Sequence, residues 1–213
     1  VEWFEANKPA YARHVAHIHV PGHDDCRLLS IVDGERLQRV LAHCLDPDEL
    51  LSDHGLRSLS RRHADYPFTI DLGGVTASID YEPAESTNYL FGGNSNWRGP
   101  VWFPLNYLMI EALRRYERYF GPDFTVEHPT GSGRRLGLGA VATDLAERLV
   151  GIFLPGPDGR RPVHGTDDLI GTDPGWRDRV WFHEYFHADT GAGLGASHQT
   201  GWTGLVLDLI ARP

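Results

Sequence analysis

A chain of 213 residues, 41% apolar and 23% charged, is long enough to bury a core and too apolar to stay disordered. Its formal charge of −9 argues against a nucleic-acid partner, since such binding rests on Lys and Arg neutralising phosphates; a neutral or cationic ligand fits better. Cys26 and Cys44, the only two cysteines, can build neither a disulfide framework nor a Cys-rich zinc site.

In chain order, Leu37, Val40, Leu41 and Cys44 follow the Asp33-Gly34 turn at helical spacing and predict an amphipathic helix over 35–45, ending before Pro47. A second, short helix is expected from the acidic Asp48-Glu49 and the stripe of Leu50, Leu51, Leu56 and Leu59. Phe68-Thr69-Ile70 and the run from Val75 to Ile79, on either side of Gly73-Gly74, predict a β-hairpin. Over 102–119, Leu105, Leu108, Met109, Ala112, Leu113 and Tyr116 predict the clearest helix, stopped by Gly121-Pro122. Thr130-Gly131-Ser132-Gly133 lacks the Gly-Lys-Ser/Thr of a phosphate loop and reads as a turn. Another helix is expected over 138–153, with Val141, Leu145, Leu149 and Ile152 in phase, and a last one after Gly201 carrying Leu205, Val206, Leu209 and Ile210.

No apolar run nears the roughly 18 residues that span a bilayer, and Val1-Glu2-Trp3-Phe4 does not open a secretory leader, so the expectation is a cytoplasmic chain without a membrane partner. The pattern is helices separated by long loops rich in Gly and aromatic residues, without regular strand–helix alternation. It predicts one mainly α domain over 1–213 with a small hairpin insertion.

Two stretches have the residue types for chemistry. In the run from Gly92 to Trp102, Trp97 and Trp102 offer flat apolar faces for a sugar ring, Asn94, Asn96 and Arg98 offer hydrogen bonds to hydroxyls, and Gly99 allows close backbone approach. The alternative is that these Trp are core and the Gly and Pro shape a helix entry. The second stretch, His183-Glu184-Tyr185-Phe186-His187, matches H-E-x-x-H, in which two His one helical turn apart bind zinc. Thr190 and Gly193 stand where a metzincin needs Gly and His, no Glu follows Glu184, and Asp-Thr-Gly-Ala-Gly follows at once, which disfavours a helix. No metal and no cofactor is therefore expected. The rival reading makes Glu184 a general base, partly desolvated by Trp181, Phe182, Tyr185 and Phe186; an exposed surface Glu, or one paired with Arg177 or Arg179, is the plainer possibility. Asp24-Asp25 read as a solvated turn, and Asp80, Glu82 and Glu85 as surface charges with a weaker claim to face a pocket.

The runs GGNSNWRGPVWFPLNYLMIEALRRY, residues 92–116, and HEYFHADTGAGLGASHQTGWTGL, residues 183–205, resemble the C-terminal part of the glycoside hydrolase family 63 barrel. The likeness is greatest to its bacterial members, related to processing α-glucosidase and mannosylglycerate hydrolase, and it extends over nearly the whole chain. It implies part of an (α/α)6 barrel and metal-free, inverting hydrolysis of an α-glucosidic or α-mannosidic bond in an oligosaccharide or glycoside. Glu184 matches the family's general base, and Trp97, Arg98, Gly99 and Trp102 match its sugar-contacting loop. Asn94, Asn96, Tyr185, His198, Gln199 and Trp202 complete the expected substrate-binding set. His187-Ala188 stand where the family often has Asn-Pro, so rim contacts differ. The family's general-acid Asp belongs to the N-terminal half of the barrel, a partner expected from outside this sequence, and only about six of the barrel's twelve helices are counted here. A noncatalytic carbohydrate-binding half-domain is the alternative, and a zinc metallohydrolase built on 183–187 the third.

Overall fold

The structure is a computed structural model that describes residues 1–87, 96–198 and 201–212. It is mainly helical, with small two-stranded hairpins set between the helices. Two short helices, α1 (Glu2–Asn7) and α2 (Pro9–Ala12), precede α3 (Gly34–Cys44). Asp33 caps α3 by accepting from the Arg36 amide at 2.8 Å, and Leu37 and Leu41 are its buried residues.

The helix expected around residues 48–59 is instead a tight hairpin, β1 (Leu51–Ser52) with β2 (Gly55–Leu56). Local chemistry explains the difference. The Asp46 carboxylate accepts from the Asp48 amide at 2.8 Å and the Asp46 carbonyl accepts from Glu49 and Leu51, closing a turn, while Gly55 at φ +124° reverses the chain. β3 (Phe68–Asp71) and β4 (Thr76–Ile79) form the predicted hairpin in register Phe68↔Ile79, with Phe68, Ile70, Leu72 and Val75 exposed.

α4 (Phe103–Phe120) is the longest helix, ended by Gly121 at φ +79°. Its buried stripe is Phe103, Asn106, Ile110 and Leu113, whereas Leu105 and Leu108, expected on the core face, are exposed. The helix is apolar on more than one side, so spacing alone does not choose the stripe. β5 (Thr125–Glu127) and β6 (Arg135–Gly137) then pair around the predicted 130–133 turn, in which the Glu127 carboxylate accepts from the Gly133 amide at 2.6 Å.

α5 (Leu138–Gly151) returns against α4 in the opposite direction, which places Gly137 beside Glu117 at one end and Phe103 beside Phe153 at the other. Val141, Leu145 and Leu149 share one core with Phe103, Ile110 and Leu113 of α4, Leu37 and Leu41 of α3, and Val206 and Leu209 of α7 (Val206–Ala211). A short helix α6 (Asp168–Thr172) and the hairpin β7 (Tyr185–Phe186) with β8 (Gly193–Leu194) lie between α5 and α7. No helix among the described residues is long and apolar enough to cross a membrane.

Candidate active site

Segments more than eighty residues apart meet at Val101. Its amide donates to the Phe186 carbonyl at 2.9 Å and its carbonyl accepts from the Phe186 amide at 3.0 Å, so the chain entering α4 runs beside β7. Register then places Trp102 against Tyr185. The two rings stack at 4.7 Å and 20°, Trp97 stacks on Trp102 at 3.9 Å and 6°, and Trp202 meets Trp102 edge-on at 6.1 Å. Trp102 is 2% exposed, with both faces covered, whereas Trp97 at the end of the stack is 47% exposed.

Glu184 lies just before β7. Its amide donates to the Ala196 carbonyl at 2.8 Å, its carbonyl accepts from the Trp202 indole at 2.8 Å, and its Oε2 accepts from the Ala196 amide at 3.4 Å. A Cβ at Gly195, which has φ +66°, would lie 2.7 Å from that Oε2 and 2.8 Å from the Tyr185 ring. Burial first, and then the nearby anions Glu85 and Glu184, push the Tyr185 phenol up to about 12. Arg177 pairs with Asp178 and Arg179 stacks on Trp176.

The described residues of the loop facing β7, 80–87 and 96–99, are held by several hydrogen bonds. Arg98, 3% exposed, donates to Asp80 at 3.2 Å, to Ser86 at 2.9 Å and to Glu82. The buried Asn96 amide donates to the carbonyls of Glu82 and Ala84, and the Ala188 amide donates to the Pro83 carbonyl at 3.1 Å. Gly99, at φ +154°, passes so close that a Cβ would lie 2.6 Å from the Glu82 carbonyl oxygen. Arg98 and Asn96 thus hold the loop with the groups that sequence reading reserves for sugar hydroxyls. His198 is exposed and stacks on Trp181 at 5.4 Å. Asn94 and Gln199 lie outside the described residues.

On the far side of Val101, which Arg57 bridges, Arg57 donates to the Tyr81 hydroxyl at 3.0 Å and to Asp189 at 3.1 Å, and Tyr81 also donates to Asp189 at 3.2 Å. This network ties the turn after β7 to the hairpin of β1 and β2. Sequence reading does not single out Arg57, Tyr81 or Asp189, because their partnership exists only in three dimensions. Glu85, expected as a surface charge with a weaker claim to face a pocket, accepts from the Gly195 amide at 3.4 Å, next to the Ala196 amide that holds Glu184.

The H-E-x-x-H match is not helical. His183 and Glu184 precede a strand and His187 follows it, so the one-turn spacing of a zinc site does not form. Burial lowers the affinity of His183 and His187 for protons. Among the described residues, no group of three or more His, Cys, Asp or Glu is arranged to hold a metal.

Comparison with known proteins decides the kinship. The family model for the mannosylglycerate hydrolase MGH1-like glycoside hydrolase domain matches residues 26–203. The chain belongs to this family. Its kinship with the family 63 processing glucosidases, expected from residues 92–116 and 183–205, is borne out. The chain is 47% identical over 214 residues to the uncharacterized protein YMR196W of Saccharomyces cerevisiae, covering 99% of this chain and 20% of that protein. It is 26% identical to the mannosyl-oligosaccharide glucosidase of the same yeast, covering 84% of this chain and 16% of that protein. A probable mannosyl-oligosaccharide glucosidase of Schizosaccharomyces pombe is 25% identical, again over 84% of this chain and 16% of its own length. The chain therefore spans a fifth or less of the length of these relatives.

Proposed function

We propose that this glycosidase-family chain contributes the base side of an active site that hydrolyses an α-glucosidic or α-mannosidic bond with inversion. One observation carries the proposal: a carboxylate, Glu184, is fixed by backbone bonds beside a stack of aromatic rings whose outer plate, Trp97, is open. In an inverting mechanism one carboxyl protonates the leaving oxygen while a carboxylate about 6.5–9.5 Å away activates water on the opposite face of the sugar. Glu184 is the activating base. Trp97 carries the apolar face of the sugar, Trp102, Tyr185 and Trp202 back it, and Asn96, Arg98 and Gly99 hold its loop in place.

The general acid comes from outside this chain, from the N-terminal half of an (α/α)6 barrel. The exposed apolar side chains of α4, Leu105 and Leu108, and of α7, Leu207 and Ile210, suit burial against further helices of such a barrel. A second reading, a half-domain that binds carbohydrate without cleaving it, is favoured by the lack of an assigned general acid among the described residues.

The test is release of monosaccharide from a panel of α-glucosides and α-mannosides, with anomeric configuration followed by NMR. It is run on this chain alone and on a longer protein supplying the upstream half. Release with inversion only from the longer protein supports the proposal. Sugar binding without release from either supports the half-domain.

A further inference from the structure

Glu184 is not the only carboxylate on its wall. Gly195 and Ala196 are consecutive, and their amides donate to two different side chains, Glu85 and Glu184, each at 3.4 Å. The two carboxylates are therefore held by consecutive peptide units of one turn. The Tyr185 phenol, stacked on Trp102, feels both anions.

Glu85 reaches this place because its loop is built to present it. The three carbonyls immediately before it, of Glu82, Pro83 and Ala84, each accept a hydrogen bond, from Asn96, Ala188 and Asn96 again, and Arg98 ties Glu82 to Ser86 on either side of it. These bonds fix the backbone from which the Glu85 side chain projects to the Gly195 amide. The nearby guanidinium of Arg98 is engaged with Asp80 and Glu82.

We infer that Glu85 is a specificity-determining residue of the site, and that Glu85 and Glu184 together favour a sugar ring carrying positive charge. This rests on the sugar-site reading above. Because both carboxylates are anchored on the same loop, Glu85 flanks the base and does not take the acid's place across the ring. In hydrolysis the ring gathers positive charge as the glycosidic bond breaks, and a second anion beside the base stabilises that state at no cost in reorganisation.

The experiment is a binding measurement and needs no turnover. A hydroxylated piperidine, held at a pH where it is the ammonium ion, is titrated calorimetrically against the uncharged lactam of the same ring. The protein is the one that carries this chain, unaltered and as Glu85→Gln, Glu184→Gln and Glu85→Asp, with folding of each checked by circular dichroism. Glu111→Gln, a carboxylate paired with Arg114 on α4, controls for net charge. The expected result is a preference for the ammonium of about tenfold or more, in line with one further anion a few ångströms away. Glu85→Gln and Glu184→Gln should each remove most of it, while Glu85→Asp and Glu111→Gln keep it. A preference untouched by Glu85→Gln, or reduced equally by Glu111→Gln, overturns the assignment of Glu85 while leaving the sugar site standing. Failure of the unaltered protein to bind either ring overturns both readings together.

Discussion

Arg57 and Asp189, 132 residues apart in the chain, form a 3.1 Å ion pair in which the arginine side chain is 5% exposed and the aspartate 39%. The same guanidinium donates to the carbonyls of Pro47 and Leu51 and to Tyr81. The turn that follows Glu184 and β7 is thereby fastened to the hairpin that packs under α4.

Arg57→Ala should therefore destabilise the chain by about 3 kcal/mol or more, because the carbonyls and carboxylate it satisfies lose their donor. Asp189→Asn should cost less, since its side chain is partly solvated. Urea denaturation of the two variants checks the order; equal and negligible losses would contradict the fastening role.

Trp97 and Trp102 make separable contributions. Removing the open ring with Trp97→Ala should weaken sugar binding by about tenfold and cost little stability, since stacking contributes about 0.5–1.5 kcal/mol. Trp102→Ala removes a buried plate and its indole bond to the Asn96 carbonyl, and should cost about 3–5 kcal/mol. Calorimetry with a sugar ligand, alongside thermal melting, distinguishes the two effects.

Gly195→Ala places a methyl 2.7 Å from Glu184 Oε2 in a backbone region that L-residues rarely adopt. The position of the carboxylate should shift, and kcat should fall by more than tenfold with KM little changed, because a small misplacement of a catalytic group is costly. A Gly195→Ala protein with unaltered kcat would show that Glu184 does not depend on this loop.

Burial holds His54, His183 and His187 below the ordinary histidine range. The unfolded chain then binds these protons more readily than the folded one. The stability they contribute is complete above about pH 6.5 and is lost as pH falls from there through their lower folded-state values. Melting temperature should drop on acidification through this window, and His183→Asn together with His187→Asn should flatten the drop. A slope unchanged by the double variant would contradict this origin.

Much of this was legible from residue spacing, and the failures have physical causes. α3, α4, α5, α7 and the hairpin of β3 and β4 follow from periodicity and from Gly and Pro stops. The hairpin at Leu51–Leu56 was not legible, because leucines at helical spacing compete with an Asp46 turn and a Gly55 conformation that spacing does not reveal. Sequence points to Trp102, Asn96 and Arg98 as groups for a sugar, but their faces and donors are directed to Tyr185, Glu82, Ala84 and Asp80. Glu85 and Asp189 stood out least, since each gains meaning only from a partner about a hundred or more residues away in the chain.

The most direct test of the central claim is turnover by Glu184→Gln in a protein that supplies the upstream half of the barrel, measured beside sugar affinity. The account predicts that hydrolysis falls by at least a thousandfold, on the order expected for loss of a catalytic carboxylate, while a sugar ligand still binds. Hydrolysis within a few fold of the unaltered protein would contradict the assignment of Glu184 as the base.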